Sequence, residues 1–297
     1  MRRVDIGVVL GFDGGRGRGM DALTAAARHV EELGLSSFWA PDHVVFVEGA
    51  ESRYPYGKSG RAPVGRRPGV YDPFVALAAA AAVTSRIRLG TGVLILPQRE
   101  PLNVAQQAVA VDHAAAGRLD LGIGVGWLRE ECEALGVPWA RRGERTDEYV
   151  RLMRALWRDD VVDFEGEFVS VRGIQAWPKP LQSGGVPVWV GGNTDAALRR
   201  VAAVGDGWYG WLLDADQAAE RIAFLRAACE AEGRDPATVG LKLGLPWPGS
   251  FDTLPDYVAS IARLGVTELV LAPHAADIAL HDRLLALATA ADSVRSG

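Results

Sequence analysis

Eight times along this chain a short run rich in apolar, β-branched or aromatic residues gives way to a longer amphipathic or alanine-rich stretch. The short runs cover 5–11, 37–41, 87–97, 119–127, 186–192, 207–210, 239–245 and 267–272. The longer ones cover 21–33, 72–84, 103–116, 129–135 with 144–157, 195–204, 216–232, 254–264 and 278–291. Strands separated by helices pair in parallel, because each helix carries the chain back to the starting edge. Eight such units favour an α/β fold closed into a (β/α)8 TIM barrel over an open doubly wound sheet. Such a barrel takes about 250 residues, so a chain of 297 fits one domain over 1–297 with insertions. Two insertions are expected: a lid or binding loop over 48–69, rich in Gly, Pro, Arg and Tyr, and a surface hairpin within 159–180. Asp21 is placed to cap the first helix and Asp72-Pro73 to start the second, while Gly34 and Gly117 stop helices.

Composition narrows the classes. Hydrophobic residues at 48% and charged residues at 23% allow a large core and exclude wholesale disorder. A net charge of −5 argues against nucleic acid as partner, since phosphate-backbone binders present a basic face. No uncharged apolar run is long enough to span a bilayer, and the start of the chain lacks the apolar core of a signal peptide. Cys132 and Cys229, far apart, give neither metal spacing nor a disulfide framework. A soluble, cytoplasmic protein is the expectation.

In a barrel the chemistry belongs at the C-terminal strand ends. That rule nominates Gly11, Asp42-His43, the stretch 91–97, Gly124 to Trp127, Gly191 to Thr194, Trp208, the stretch 245–247 and Pro273-His274. His43 is the sharpest of these, because imidazole exchanges protons near neutrality. Asp42 could orient it or bind a ligand hydroxyl. Gly191-Gly-Asn-Thr-Asp195 joins a strand to a helix and reads either as an anion site or as a tight turn capped by Asn193 or Thr194. Arg141-Arg142 is compatible with a small anionic ligand. Glycines puncture two core strands, at Gly90 and Gly92 and again at Gly122, Gly124 and Gly126; they read either as room for one flat ligand or as a wall onto which bulky neighbours pack. Of Trp39, Trp127, Trp189, Trp208 and Trp247, one or two are expected to touch ligand. His29 and His113 fall within helices, and His274 and His281 are weaker candidates. No metal-ligand spacing and no Gly-x-Ser-x-Gly elbow is found.

Several longer stretches occur in a characteristic order: Ala40-Pro-Asp-His43, Tyr71-Asp-Pro-Phe74, Ser85-Arg-Ile-Arg-Leu-Gly-Thr-Gly-Val93, Gly117-Arg-Leu-Asp-Leu-Gly-Ile-Gly-Val-Gly-Trp127, Glu133-Ala-Leu-Gly-Val137, Pro178-Lys-Pro180 and Val188-Trp-Val-Gly-Gly-Asn193. With these the chain resembles the bacterial luciferase-like flavin monooxygenases, in particular the branch that uses the deazaflavin coenzyme F420. The resemblance runs from Val4 to about Ala272. It implies a barrel that binds F420, or FMN in sister branches, in its C-terminal mouth. It also implies a bulge with a cis peptide at Gly92-Val93 behind the middle ring. The cofactor wall it implies takes in Thr91, Gly92, Val93, Gly124, Gly126, Trp127 and Trp208, with Gly191, Gly192, Asn193 and Thr194 at the tail. Asp42 and His43 match a pair beside the ring, the histidine handling a proton.

Two departures stand against alcohol or sugar-phosphate oxidation: Val47 where some F420 dehydrogenases have tryptophan, and Trp127 where they have glutamate. The resemblance thus implies an F420-dependent oxidoreductase passing a hydride to or from a small organic substrate. The alternatives are an FMN-dependent monooxygenase served by a flavin or F420 reductase, and a non-catalytic flavin-binding barrel. Relatives of this kind are commonly homodimers.

Overall fold

The computed structural model describes residues 4–9, 19–57, 59–62, 64, 69–246 and 253–272. The chain opens with β1 (Asp5–Val9), α1 (Met20–Glu32), β2 (Ser37–Ala40), α2 (Pro73–Ala81), β3 (Arg88–Thr91), β4 (Leu94–Ile95) and α3 (Pro101–Ala114). It continues through β5 (Leu119–Gly124), α4 (Arg129–Ala134), α5 (Arg142–Arg158) and the strands β6 (Val162–Glu165) and β7 (Ser170–Ile174). Then follow β8 (Val188–Gly191), α6 (Asp195–Val204), β9 (Gly207–Trp211), α7 (Ala215–Ala231), β10 (Gly240–Pro246), α8 (Leu254–Leu264) and β11 (Glu268–Ala272).

All pairings outside the β6–β7 hairpin are parallel, and they close: β1 pairs with β2 and β11, β3 pairs with β2 and β5, and β5, β8, β9, β10 and β11 follow in turn. The third stave is broken in two, β3 and β4, around a cis peptide between Gly92 and Val93. This is the (β/α)8 barrel expected from the alternation. Among the described residues no helix is long and apolar enough to cross a membrane. The expected last helix over 278–291, and the candidates Gly11, Trp247, Pro273-His274 and His281, lie outside the described residues.

Helix starts follow local chemistry more closely than periodicity. Asp72 caps α2 by accepting from the N–H groups of Phe74 and Val75, with Pro73 in the first turn. Helix α3 begins two residues before the expected 103, because Glu100 accepts from Leu102 and Asn103 N–H and Pro101 fits the first helical position. Asp21 is not a cap; α1 starts from Gly19, and Asp21 lies in the first turn, where its charge suits the helix dipole.

The core fills the shell between staves and helices. A smaller cluster of Val9, Trp39, Tyr209 and Val270 fills the barrel itself. Below it the interior is charged. Lys242 bonds Asp120 at 2.7 Å and Glu268 at 2.8 Å, Arg88 Nε reaches Asp120 at 2.9 Å, and Ser37 donates to Glu268 at 2.6 Å. The Lys242 ammonium also lies 4.7 Å from the Trp39 ring centre and 4.1 Å from that of Trp189. Burial opposes ionisation of Asp120, but Lys242 and Arg88 outweigh it and hold the carboxyl below the usual aspartate range.

Part of the room the glycines leave is taken by the protein's own atoms. A Cβ at Gly90 or Gly122 would run into the Trp39 indole or the Thr91 carbonyl. A Cβ at Gly124 would stand 2.7 Å from Val93 Cγ2, and one at Gly191 would stand 2.9 Å from Val93 Cγ1. These glycines make room for the protein's own side chains, Trp39 inside the barrel and Val93 at its rim.

Candidate active site

The C-terminal strand ends converge on one cavity of about 1140 Å³. Val9, Asp42, Ile95, Gly191, Trp211 and Pro246, each at or just past a strand end, contribute to its wall.

His43 follows β2 by three residues and is 7% exposed. Its Nδ1 lies 2.8 Å from Oε2 of Glu131, a fully buried residue of α4. The chain reaches α4 from β5 by a turn at Gly126, whose φ of +79° suits glycine. The Glu131 carboxylate also accepts from the N–H of Val44 at 2.7 Å, the N–H of Val45 at 3.2 Å and the Gln98 amide at 3.2 Å. Burial opposes its ionisation, but the hydrogen bond and charge of His43, the Gln98 amide and the Val45 N–H prevail and hold the carboxyl below the usual glutamate range. A carboxylate at Nδ1 selects the tautomer protonated there and fixes the ring's orientation. Phe46 packs 4.5 Å from the imidazole centre and Trp127 meets it edge-on at 5.8 Å.

Asp42, expected either to orient His43 or to bind a ligand hydroxyl, ties two elements of the rim together. Its carboxylate receives the Ile95 N–H at 2.9 Å and the Arg99 guanidinium at 2.7 and 3.2 Å, and Arg99 also holds Asp72 at 2.9 Å. It fastens the rim after the cis peptide to the end of β2. Gly92, Val93, Gly124, Gly126 and Trp127 line the cavity. Thr91 and Trp208 do not. Thr91 is fully buried and donates to the Gly122 carbonyl at 2.6 Å, because a side chain on that side of β3 points into the neighbouring stave. Trp208 points outward into the helix shell and donates to the Gly192 carbonyl at 2.7 Å.

Gly191, Gly192, Asn193 and Thr194 border the cavity. The Thr194 hydroxyl caps α6 at Ala197 N–H, and the Asn193 side chain is clamped to the Trp211 backbone at 2.6 and 3.1 Å. At this end Arg142, first residue of α5, stacks on Trp139 with its guanidinium 3.6 Å from the ring centre, and Arg200 of α6 pairs with Asp147. Burial and the charge of Arg200 hold the Arg142 guanidinium below its usual value. Arg141, by contrast, turns away to Glu144 and Glu167. Among the described lining residues five arginines, 53, 61, 129, 142 and 200, face a single carboxylate, Asp42, already held by Arg99. The net field is positive, the sign that draws anions.

The loop after β2 brings Tyr54 and Tyr56 to the cavity, and β9 brings Trp211. The adjacent Glu130 accepts from the N–H of Glu51 at 2.7 Å and of Ser52 at 3.0 Å, so α4 holds this loop. Glu131, Arg200, Trp211, Tyr54 and Tyr56 were not singled out by sequence; the loop, strand and helices carrying them were legible, but no local pattern says which side chain turns inward. Of the remaining histidines, His29 lies 3.4 Å from Glu32 and His113 bonds the Lys179 carbonyl. Among the described residues no group of His, Cys, Asp and Glu is arranged to hold a metal ion.

Comparison with known proteins agrees with this architecture. The uncharacterised Mycobacterium tuberculosis protein Rv0953c is 36% identical over 249 residues, 83% of this chain and 85% of that one. The F420-dependent hydroxymycolic acid dehydrogenase of the same organism is 29% identical over 243 residues, 81% of this chain and 61% of that one. A solved F420-dependent secondary alcohol dehydrogenase, in complex with an F420-acetone adduct, superposes with a TM-score of 0.79 at 17% identity, covering 99% of each chain. With the family model for the luciferase-like monooxygenases matching residues 5–248, the chain belongs to the luciferase-like monooxygenase family.

Proposed function

We propose that the protein is an F420-dependent oxidoreductase that reduces a small organic substrate. The observation that carries this reading is the buried His43–Glu131 pair at a cavity whose other end is a glycine turn beside two arginines. The cavity fits the group on three counts. Its volume of about 1140 Å³ is at the upper end of ordinary ligand pockets, roughly 300–1,000 Å³, enough for a tricyclic ring with a tail and a second small molecule. Val93, set between Gly124 and Gly191, offers an apolar surface to the cavity. Gly192, Thr194, Arg142 and Arg200 offer an anionic tail the α6 start and two cations.

When bound, the reduced deazaflavin supplies a hydride. The chain's own part is the proton and the enclosure. Glu131 holds Nδ1–H of His43, so Nε2 is the atom through which His43 exchanges a proton with the substrate. Asp42 and Arg99 keep the rim holding Val93 in register with the end of β2. Tyr54 and Tyr56, on the loop held by Glu130, cover the cavity from Trp127 to the turn at Gly192 and exclude water from it.

Two measurements test the proposal. Titrating the purified protein with F420 and with FMN is expected to show F420 binding at micromolar or lower dissociation constant; tight FMN binding without F420 binding overturns the cofactor assignment. His43→Ala is expected to bind the cofactor unchanged and to lower turnover of reduced F420 by about 10²–10⁴-fold, the usual worth of a positioned acid or base. Turnover at the wild-type rate removes His43 from the proton step.

A further inference from the structure

The part of the cavity beside His43 is walled by rings. Trp127 meets His43 edge-on at 5.8 Å, Tyr54 meets Trp127 at 5.3 Å, and Tyr56 meets Tyr54 at 5.4 Å. The row ends across the mouth, where a Cβ on Gly192 would lie 3.6 Å from the Tyr56 hydroxyl. It therefore runs from the imidazole to the turn before α6.

Beside His43 the carboxylates are already committed, and the lining arginines lie toward solvent or at the far end of the row. Asp42 is held by Arg99 and Glu131 by His43. Arg53, Arg61 and Arg129 are exposed residues, and Arg129 pairs with Glu133. Arg142 and Arg200 stand at the α5 and α6 end. Burial pushes the Tyr54 and Tyr56 phenols up to about 12, so both stay neutral across physiological pH. A charged substrate group placed beside His43 and Trp127 would leave water for aromatic faces, with the arginines of the cavity at its solvent side or its α6 end, which is unfavourable. A flat apolar body would find ring faces and edges suited to stacking.

We infer that the substrate is an uncharged, flat and mostly apolar molecule with one hydrogen-bond acceptor, of the class of conjugated enones and aryl ketones, lying along the ring row with its acceptor at His43. This rests on the reading of His43 as the proton-handling group.

The test uses two probes of one skeleton, 4-phenylbut-3-en-2-one and cinnamate, which differ in charge. Each is titrated against the full-length protein by quenching of tryptophan fluorescence, without cofactor and with saturating oxidised F420. The ketone is expected to bind at least tenfold tighter than the carboxylate in both states. Tyr54→Ala is expected to weaken the ketone about tenfold, and Tyr54→Phe to leave it unchanged. Cinnamate binding as tightly as the ketone, binding of neither probe, or an unchanged Tyr54→Ala overturns the inference. So does displacement of the ketone by F420, because the ring row would then be the cofactor's own berth. Absence of F420 binding defeats the cofactor assignment alone and leaves the ketone-to-carboxylate ratio of the cofactor-free protein to decide the substrate class.

Discussion

Glu131 concentrates more of the site's organisation than any other single residue. One buried carboxylate meets an imidazole, an amide and two backbone N–H groups. Removing its charge while keeping its shape, in Glu131→Gln, is expected to cost about 2–4 kcal/mol at pH 7, the range for breaking a buried charged hydrogen-bond set. The sign of its pH dependence follows from a folded-state value below the ordinary 4.5. Its stabilisation is fully present above that ordinary value and is lost as pH falls through the depressed one. Urea unfolding of wild type and variant is therefore expected to give stabilities that differ most near neutrality and draw together as pH falls below the ordinary glutamate range; a difference that stays constant with pH rules this account out. His43 was visible in the sequence because a lone histidine directly after a short strand is conspicuous. Its partner was not, since 88 residues separate the two and nothing in the pattern Arg129-Glu-Glu-Cys132 marks the second glutamate as the inward one.

Elements are secured in the same way, by single acids that gather backbone N–H groups. Glu148 of α5 accepts from Glu167, Phe168 and Val169, each at 2.8 Å, and so fixes the β6–β7 hairpin to the barrel. Glu148→Ala is expected to cost about 3 kcal/mol and to speed hydrogen exchange at residues 166–170 while the staves stay protected; uniform loss of protection across the barrel would show that the hairpin is not an independent unit. The eight staves and the helices between them were legible because hydrophobic periodicity reports burial directly. The hairpin was legible from its alternation over 163–172. Boundaries were less so: α3 starts at Pro101 because of the Glu100 cap, a residue type that ranks low among helix caps. The glycine pattern was legible as a pattern but not in its cause, because the side chains that fill the gaps, Trp39 and Val93, come from other positions in the chain.

At the scale of the whole molecule, two cations and two anions pair across the lower barrel interior among the described residues, Arg88, Lys242, Asp120 and Glu268. Lys242→Met removes the central cation and leaves Glu268 and Asp120 buried with too little positive charge. The expected loss is about 3–5 kcal/mol, read by urea unfolding at pH 7. The wild-type contribution has the sign of a raised folded-state value: burial opposes the charge of Lys242, Glu268 and Asp120 prevail, and its stabilisation is present below the ordinary 10.5 and lost as pH rises through the folded value. A variant as stable as wild type would show that this pairing is dispensable.

This pairing also sets an order of events. Asp120 lies on β5, Lys242 on β10 and Glu268 on β11, the last stave to be synthesised. A nascent chain that has not yet delivered Glu268 lacks one of the two carboxylates that hold the Lys242 ammonium. Release of the chain past residue 268 thus becomes the moment at which the earlier staves can settle, and a chain stopped just short of it is a substrate for proteolysis rather than a smaller barrel.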